Sequence, residues 1–240
     1  MDPTTQVLER IRQALSSANG TYPPNGQSNG VQDVSNGTTP ASAAAADRAT
    51  LQAQFTKELR ALSAQVVEAT SEREAIATLA NLASRLGVGS IGVGADLSLS
   101  APELEAALQA AGCQITWVPR QATENFTHRL AELDAGLVEA EHGIALTGTL
   151  AMLASPGRAR SLSLIPKISF VLLRADRILP DLAAVLSTIG PARLESYPMV
   201  LVTGPSRTGD IEKRLVLGVH GPTALYVIVL AAASDGTHES

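Results

Sequence analysis

The sequence predicts an α/β fold, a mostly parallel sheet flanked by helices, and three observations carry that prediction. Short β-branched runs alternate with helical segments from residue 88 onward. Glycine and proline punctuate the joints between them. Hydrophobic residues make up 45% of the 240 positions, enough for one large buried core or two small ones.

Taken in order, Val7, Leu8, Ile11 and Leu15 share one helical face, which predicts a helix over 1–17. From 18 to 48 the chain is Gly, Asn, Ser, Pro and Ala with almost no large apolar side chain, too little burial to offset the entropy of ordering it, and reads as a flexible linker. "LQAQFTKELRALSAQVVEAT" and "SEREAIATLANLASRLG" show helical periodicity and predict two helices in series, a helical lead-in over 49–87. Ser71 and Glu74 match a capping box at the start of the second, and Gly87 closes it.

The α/β domain is expected over 88–233, with a disordered tail at 234–240. "VGSIGVGADL" predicts a buried strand, "APELEAALQAAG" a helix with Pro102 in its first turn, "CQITWVP" a strand and "ENFTHRLAELD" a helix. "AGLVEAEHGIALTGTLAMLAS" and "SLSLIPKISFVLLRA" lack a helical period and predict closely packed strands. "PDLAAVLSTIG" returns to helix. "YPMVLVTGPSRTGDIEKRLVLGVHGPTALYVIVLA" predicts strand, loop, a short helix over Ile211–Leu217, turn and strand.

Composition excludes several function classes. A formal net charge of −5 and 3% aromatic residues give neither an electrostatic nor a stacking platform for nucleic acid. Cys113 is the one cysteine, so neither an intrachain disulfide nor an all-cysteine metal or iron–sulfur site can form within these residues, and no metal site is expected. "MDPTTQVLERIRQALSS" carries charges where a secretory signal needs an apolar core, and "LYVIVLAAA" is too short for a bilayer; the expectation is a cytoplasmic, soluble chain.

Two segments hold candidate chemistry. In "GPSRTGDIEKRLVLGVHGP", the loop at Gly204 is expected at the carboxyl end of a strand, with a following helix start offering free N–H groups to an anion. Ser206 and Thr208 add donors, and Arg207 can grip a carboxylate or phosphate with two parallel bonds. Asp210, Glu212 and His220 form an acid/base set, or else the acids complement a helix dipole and His220 bonds within a turn. Thr208 or Asp210 could equally cap the helix. No Walker A or GxGxxG pattern accompanies them.

In "EAEHGIALTGTLAML", Thr147, Gly148 and Thr149 offer hydroxyls and close backbone approach, or simply a bulge or turn. Glu139, Glu141 and His142 fit no standard metal-ligand spacing and read as a solvated strand end.

"LTGTLAML", "SLSLIPKISFVLLRADRI" and "VTGPSRTGDIEKRLVLGVHGP", in that order, resemble the lactate utilization protein C family, the LutC/YkgG proteins of the LUD domain group. The resemblance covers Val88 to Ala231 best and skips the linker. It implies the Rossmann-like sheet of glucosamine-6-phosphate isomerase, ribose-5-phosphate isomerase and CoA transferases, the NagB/RpiA/CoA transferase-like fold. It also implies a non-redox part in oxidising L-lactate to pyruvate. Iron–sulfur clusters would lie in partner proteins, with no cofactor in this chain and a small carboxylate or other anion as ligand. The family's Thr-Gly-Thr falls on Thr147–Thr149, its Gly-Pro-Ser-Arg/Lys-Thr-x-Asp-Ile on Gly204–Ile211 and its Gly-Val-His-Gly-Pro on Gly218–Pro222. Leu146 departs from the acidic or polar residue that many relatives carry. The alternative is a stand-alone isomerase, CoA-transferase-like or folate-cycloligase-like enzyme, with Asp210, Glu212 or His220 moving protons on a phosphorylated or acyl substrate.

Overall fold

Helix α1 (Pro40–Ala61) is the first described element of the computed structural model, which describes residues 40–118, 129–154, 160–209, 215–217 and 221–232. The helix expected over 1–17, linker positions 18–39 and the first five residues of the helix expected over 124–134 lie outside the described residues. The linker boundary at 48 needs correction, because α1 already begins at Pro40: an alanine run lacks large apolar side chains but is a strong helix former.

A six-stranded, wholly parallel sheet forms the centre. It comprises β1 (Gln65–Ala69), β2 (Ser90–Gly94), β3 (Gln114–Val118), β4 (Ala135–Glu139), β7 (Ile168–Arg174) and β12 (Ala224–Leu230) in the order β1-β12-β7-β4-β2-β3. β1 corrects the sequence reading: "QVVEA" has the periodicity to continue a helix but pairs with β12, Val66 against Val227. The helical lead-in thus contributes a strand to the sheet.

One face of this sheet carries α2 (Glu72–Arg85) and α3 (Ala101–Ala110) over Ile91, Val93, Leu137, Phe170 and Leu172. Ser71 caps α2 by accepting the Glu74 N–H, and Gly87 follows with φ +67°, as the local sequence predicts. The other face carries Val171, Leu173, Val227 and Val229 against α1 through Phe55 and Leu59, both fully buried.

Also on this second face lies a four-stranded sheet in the order β8-β5-β6-β9: β5 (His142–Ile144), β6 (Thr149–Leu153), β8 (Ile178–Leu179) and β9 (Met199–Val202). Its outer side packs on α5 (Leu182–Ile189) and α6 (Pro191–Ser196) through Ile144, Leu153, Val185 and Ile189. "SLSL", expected as strand, forms a short helix, α4 (Arg160–Leu164). It presses against Gly92 and Gly136, where a Cβ on Gly136 would stand 2.1 Å from the Leu162 carbonyl oxygen. No helix among the described residues is long and apolar enough to cross a membrane.

Candidate functional site

Thr147 and Gly148 lie in the tight turn between β5 and β6 and Thr149 opens β6; the two strands pair antiparallel with Gly143 opposite Leu150. Gly148 is left-handed at φ +60°, and a Cβ there would come within 2.3 Å of the Leu59 backbone nitrogen. Only glycine lets the turn sit this close to the end of α1. On either side of it, the Thr147 and Thr149 hydroxyls are 2.7 Å apart.

The Thr149 hydroxyl continues to Thr203 at 3.0 Å. Thr203 follows β9, and the next residue, Gly204 (φ +115°), also lies against this helix end, its Cβ position 3.0 Å from the Leu62 carbonyl oxygen. The two motifs singled out in the sequence therefore meet at one place, joined by a chain of three hydroxyls. Ser206 then donates its backbone N–H to the Pro222 carbonyl at 2.9 Å, bringing the end of "GVHGP" beside the start of "GPSRTGD".

The local backbone differs from expectation in two respects. Leu215–Leu217 is not helical but a strand, β11, antiparallel to β10 (Arg207–Gly209), with Thr208 opposite Val216. The four-residue spacing of Ile211 and Leu215 fits a helix locally, but at Leu215–Leu217 pairing with Arg207–Gly209 wins. Moreover, β9 belongs to the second sheet, so Gly204 is not at the carboxyl edge of the parallel sheet. It lies near the amino ends of β7 and β12 instead, beside Ser169 and Leu225. Asp210, Glu212 and His220 lie outside the described residues.

A cavity of about 220 Å³ opens under this loop. Thr203 to Ser206, Gly221 and Pro222 line it together with Ser163, Ser169 and Leu225. Ser163 and Ser169 are 3% and 2% exposed. Sequence reasoning missed both. The available signal was a lone serine in the otherwise apolar strand "ISFVLL".

At the opposite, carboxyl edge of the parallel sheet, strand order reverses between β2 and β4, the place where open α/β sheets bind ligands. Glu139 ends β4 there, 5% exposed, and accepts the Ser98 N–H at 2.6 Å. Close by in sequence, Glu141 accepts from Arg193 Nη1 at 2.9 Å, and His142 Nδ1 donates to the Arg177 carbonyl at 3.2 Å. Burial holds the His142 pKa below its usual 6.5, so the imidazole is neutral at pH 7.

These three residues are thus not a solvated strand end. All three are buried, and each has a specific partner. Among the described residues, no group of three or more His, Cys, Asp or Glu side chains is placed to hold a metal ion.

Comparison with known proteins agrees with this architecture. The LUD domain profile matches residues 52–230. YkgG of Escherichia coli (strain K12) is 32% identical over 167 residues, covering 68% of this chain and 72% of that protein. Lactate utilization protein C of Bacillus pumilus (strain SAFR-032) is 28% identical over 186 residues, 73% of this chain and 77% of that protein. The crystal structure of a DUF162 family protein from Deinococcus radiodurans shares the fold, with a TM-score of 0.60 at 23% identity over 76% of this chain and 98% of that one. With its sheet and most of its length matched, the chain belongs to the LUD domain family, in the lactate utilization protein C/YkgG branch.

Proposed function

We propose that this chain is a non-redox subunit of an L-lactate oxidation system, working with iron–sulfur partner proteins and holding a small carboxylate at the Gly204–Gly209 segment. The name lactate utilization protein C, carried by relatives, supports the metabolic role. The observation that supports the ligand reading is that Thr203–Ser206 and Gly221–Pro222 line one cavity, with Thr149 hydrogen-bonded to Thr203 beside it.

Conversion of lactate to pyruvate removes two electrons and two protons, which need an acceptor. One cysteine, 4% exposed and donating its Sγ–H to the Val88 carbonyl, cannot form the four-thiolate cage of an iron–sulfur cluster. On this reading electron transfer falls to the partners. Arg207 supplies a guanidinium fork for the carboxylate, Ser206 and Thr208 supply hydroxyls, and Asp210 and His220 are the candidates for moving a proton.

The decisive experiment purifies the chain with its iron–sulfur partners and follows lactate-dependent reduction of a dye. Omitting the chain should abolish the reaction, and Arg207→Ala should weaken carboxylate binding about tenfold to a hundredfold, the worth of a charge-assisted contact. Equal rates with and without the chain would overturn the reading.

Glu139 favours a second reading, a stand-alone enzyme on a phosphorylated or acyl substrate. It is a buried carboxylate at the switch point of the sheet, where open α/β sheets bind ligands. Turnover by the isolated chain that Glu139→Gln abolishes would select that reading.

A further inference from the structure

We propose that the cavity under Thr203–Ser206 is a selectivity pocket for the uncharged end of a small 2-hydroxy or 2-keto acid, with the Ser169 hydroxyl as its fixed hydrogen-bond partner. This rests on the carboxylate reading above and adds to it which part of the ligand is recognised, and by what.

Side chains along a strand alternate between faces, and in β7 Ser169 shares a face with Val171 and Leu173, which pack toward the second sheet. Its neighbour across the β12 ladder on this face is Leu225. An apolar residue is what this position calls for. Serine stands there instead, 2% exposed, and its Oγ has no hydrogen-bond partner. Buried hydroxyls without partners are costly and rare in native structures, and this one lies on the wall of a cavity.

The pocket's chemistry narrows the ligand. Among the described residues no charged side chain lines it. A carboxylate driven to its floor would lose its hydration without gaining a counterion. With the charged end placed toward Ser206 and the segment leading into Arg207, the neutral end enters. Inside, Ser169 offers a hydroxyl that both donates and accepts, matching an alcohol or a ketone. Leu225, Val202 and Pro222 offer an apolar wall to a short alkyl group.

The volume of about 220 Å³ equals that of roughly seven waters at about 30 Å³ each, which admits a three- or four-carbon acid.

Three probes separate the parts of the inference: L-lactate, propionate, which lacks the 2-oxygen, and 1,2-propanediol, which lacks the charge. Binding to the full chain is measured by titration calorimetry and, for the diol, by ligand-observed NMR. The wild-type chain should prefer lactate over propionate by about three- to tenfold, the net worth of one hydrogen bond. Ser169→Ala should equalise the two while leaving propionate unchanged, and should not lower the melting temperature, since the lost oxygen has no partner. Ser169→Cys keeps the size with a weaker donor and should lose the preference as well; it carries the test if the alanine variant does not fold. A preference that survives in both variants, or none in the wild type, would overturn the pocket. Ser169-dependent binding of the diol without any binding of lactate or propionate would uphold the pocket and defeat the carboxylate reading. Absence of binding by all three probes would defeat the pocket itself.

Discussion

At Gly148 a single hydrogen atom in place of a side chain lets the β5–β6 turn reach the end of α1. The left-handed φ of +60° and the 2.3 Å approach to the Leu59 nitrogen act together, so alanine there is strained in its own backbone and also collides with backbone that cannot step aside. Gly148→Ala should cost about 2–4 kcal/mol in urea unfolding. A loss below about 0.5 kcal/mol would show that the turn relaxes freely. His142 gives a second test. Its folded pKa is depressed below 6.5, chiefly by burial, so the unfolded chain takes up this proton first as pH falls. The stability associated with neutral His142 is full above pH 6.5 and is lost progressively below it, toward the folded pKa. Between about pH 7.5 and 5.5, His142→Asn should lose less stability than wild type, by at most about 1.4 kcal/mol per pH unit. Identical slopes in the two proteins would mean that His142 is not a source of the acid sensitivity.

Among the elements, α1 links the parts of the site, because its C-terminal end lies against both Gly148 and Gly204 and its apolar face fills the space between the two sheets. Leu59 is fully buried in that space. Leu59→Ala should cost about 2–5 kcal/mol, seen as a lower urea midpoint at unchanged slope. A change under about 1 kcal/mol would mean that α1 contributes little to the core. The helical period of α1 is legible in the sequence from Leu51, but neither its start at Pro40 nor its end is. It stops after Ala61 with a left-handed Ser63 at φ +69°, where neither glycine nor proline marks the break, and Val66 and Val67 then extend as β1. α2 and α3 were legible because their stop and start signals are local: the Ser71 cap, Gly87 and Pro102. The β10–β11 hairpin was not, since Ile211 and Leu215 keep a helical spacing until Arg207–Gly209 supplies the pairing.

For the molecule as a whole, the alternation of strands and helices and the size of the core determined an α/β protein. Each is a local pattern or a count, which a sequence states directly. Which strands would be neighbours was decided by tertiary structure. β1 joins β12 across the whole length of the domain, and "MVLV" enters a second sheet rather than the parallel one. The candidate site was half legible for the same reason. Thr147–Thr149 and Gly204–Ser206 stood out as unusual segments, but the 3.0 Å contact between Thr149 and Thr203 spans 54 positions of chain. Ser169 became informative only when burial stripped its hydroxyl of partners and placed it on a cavity wall. Periodicity and punctuation are properties of neighbouring residues; a pocket is a property of surfaces that meet only after the chain has paid the entropy of closing the loops between them.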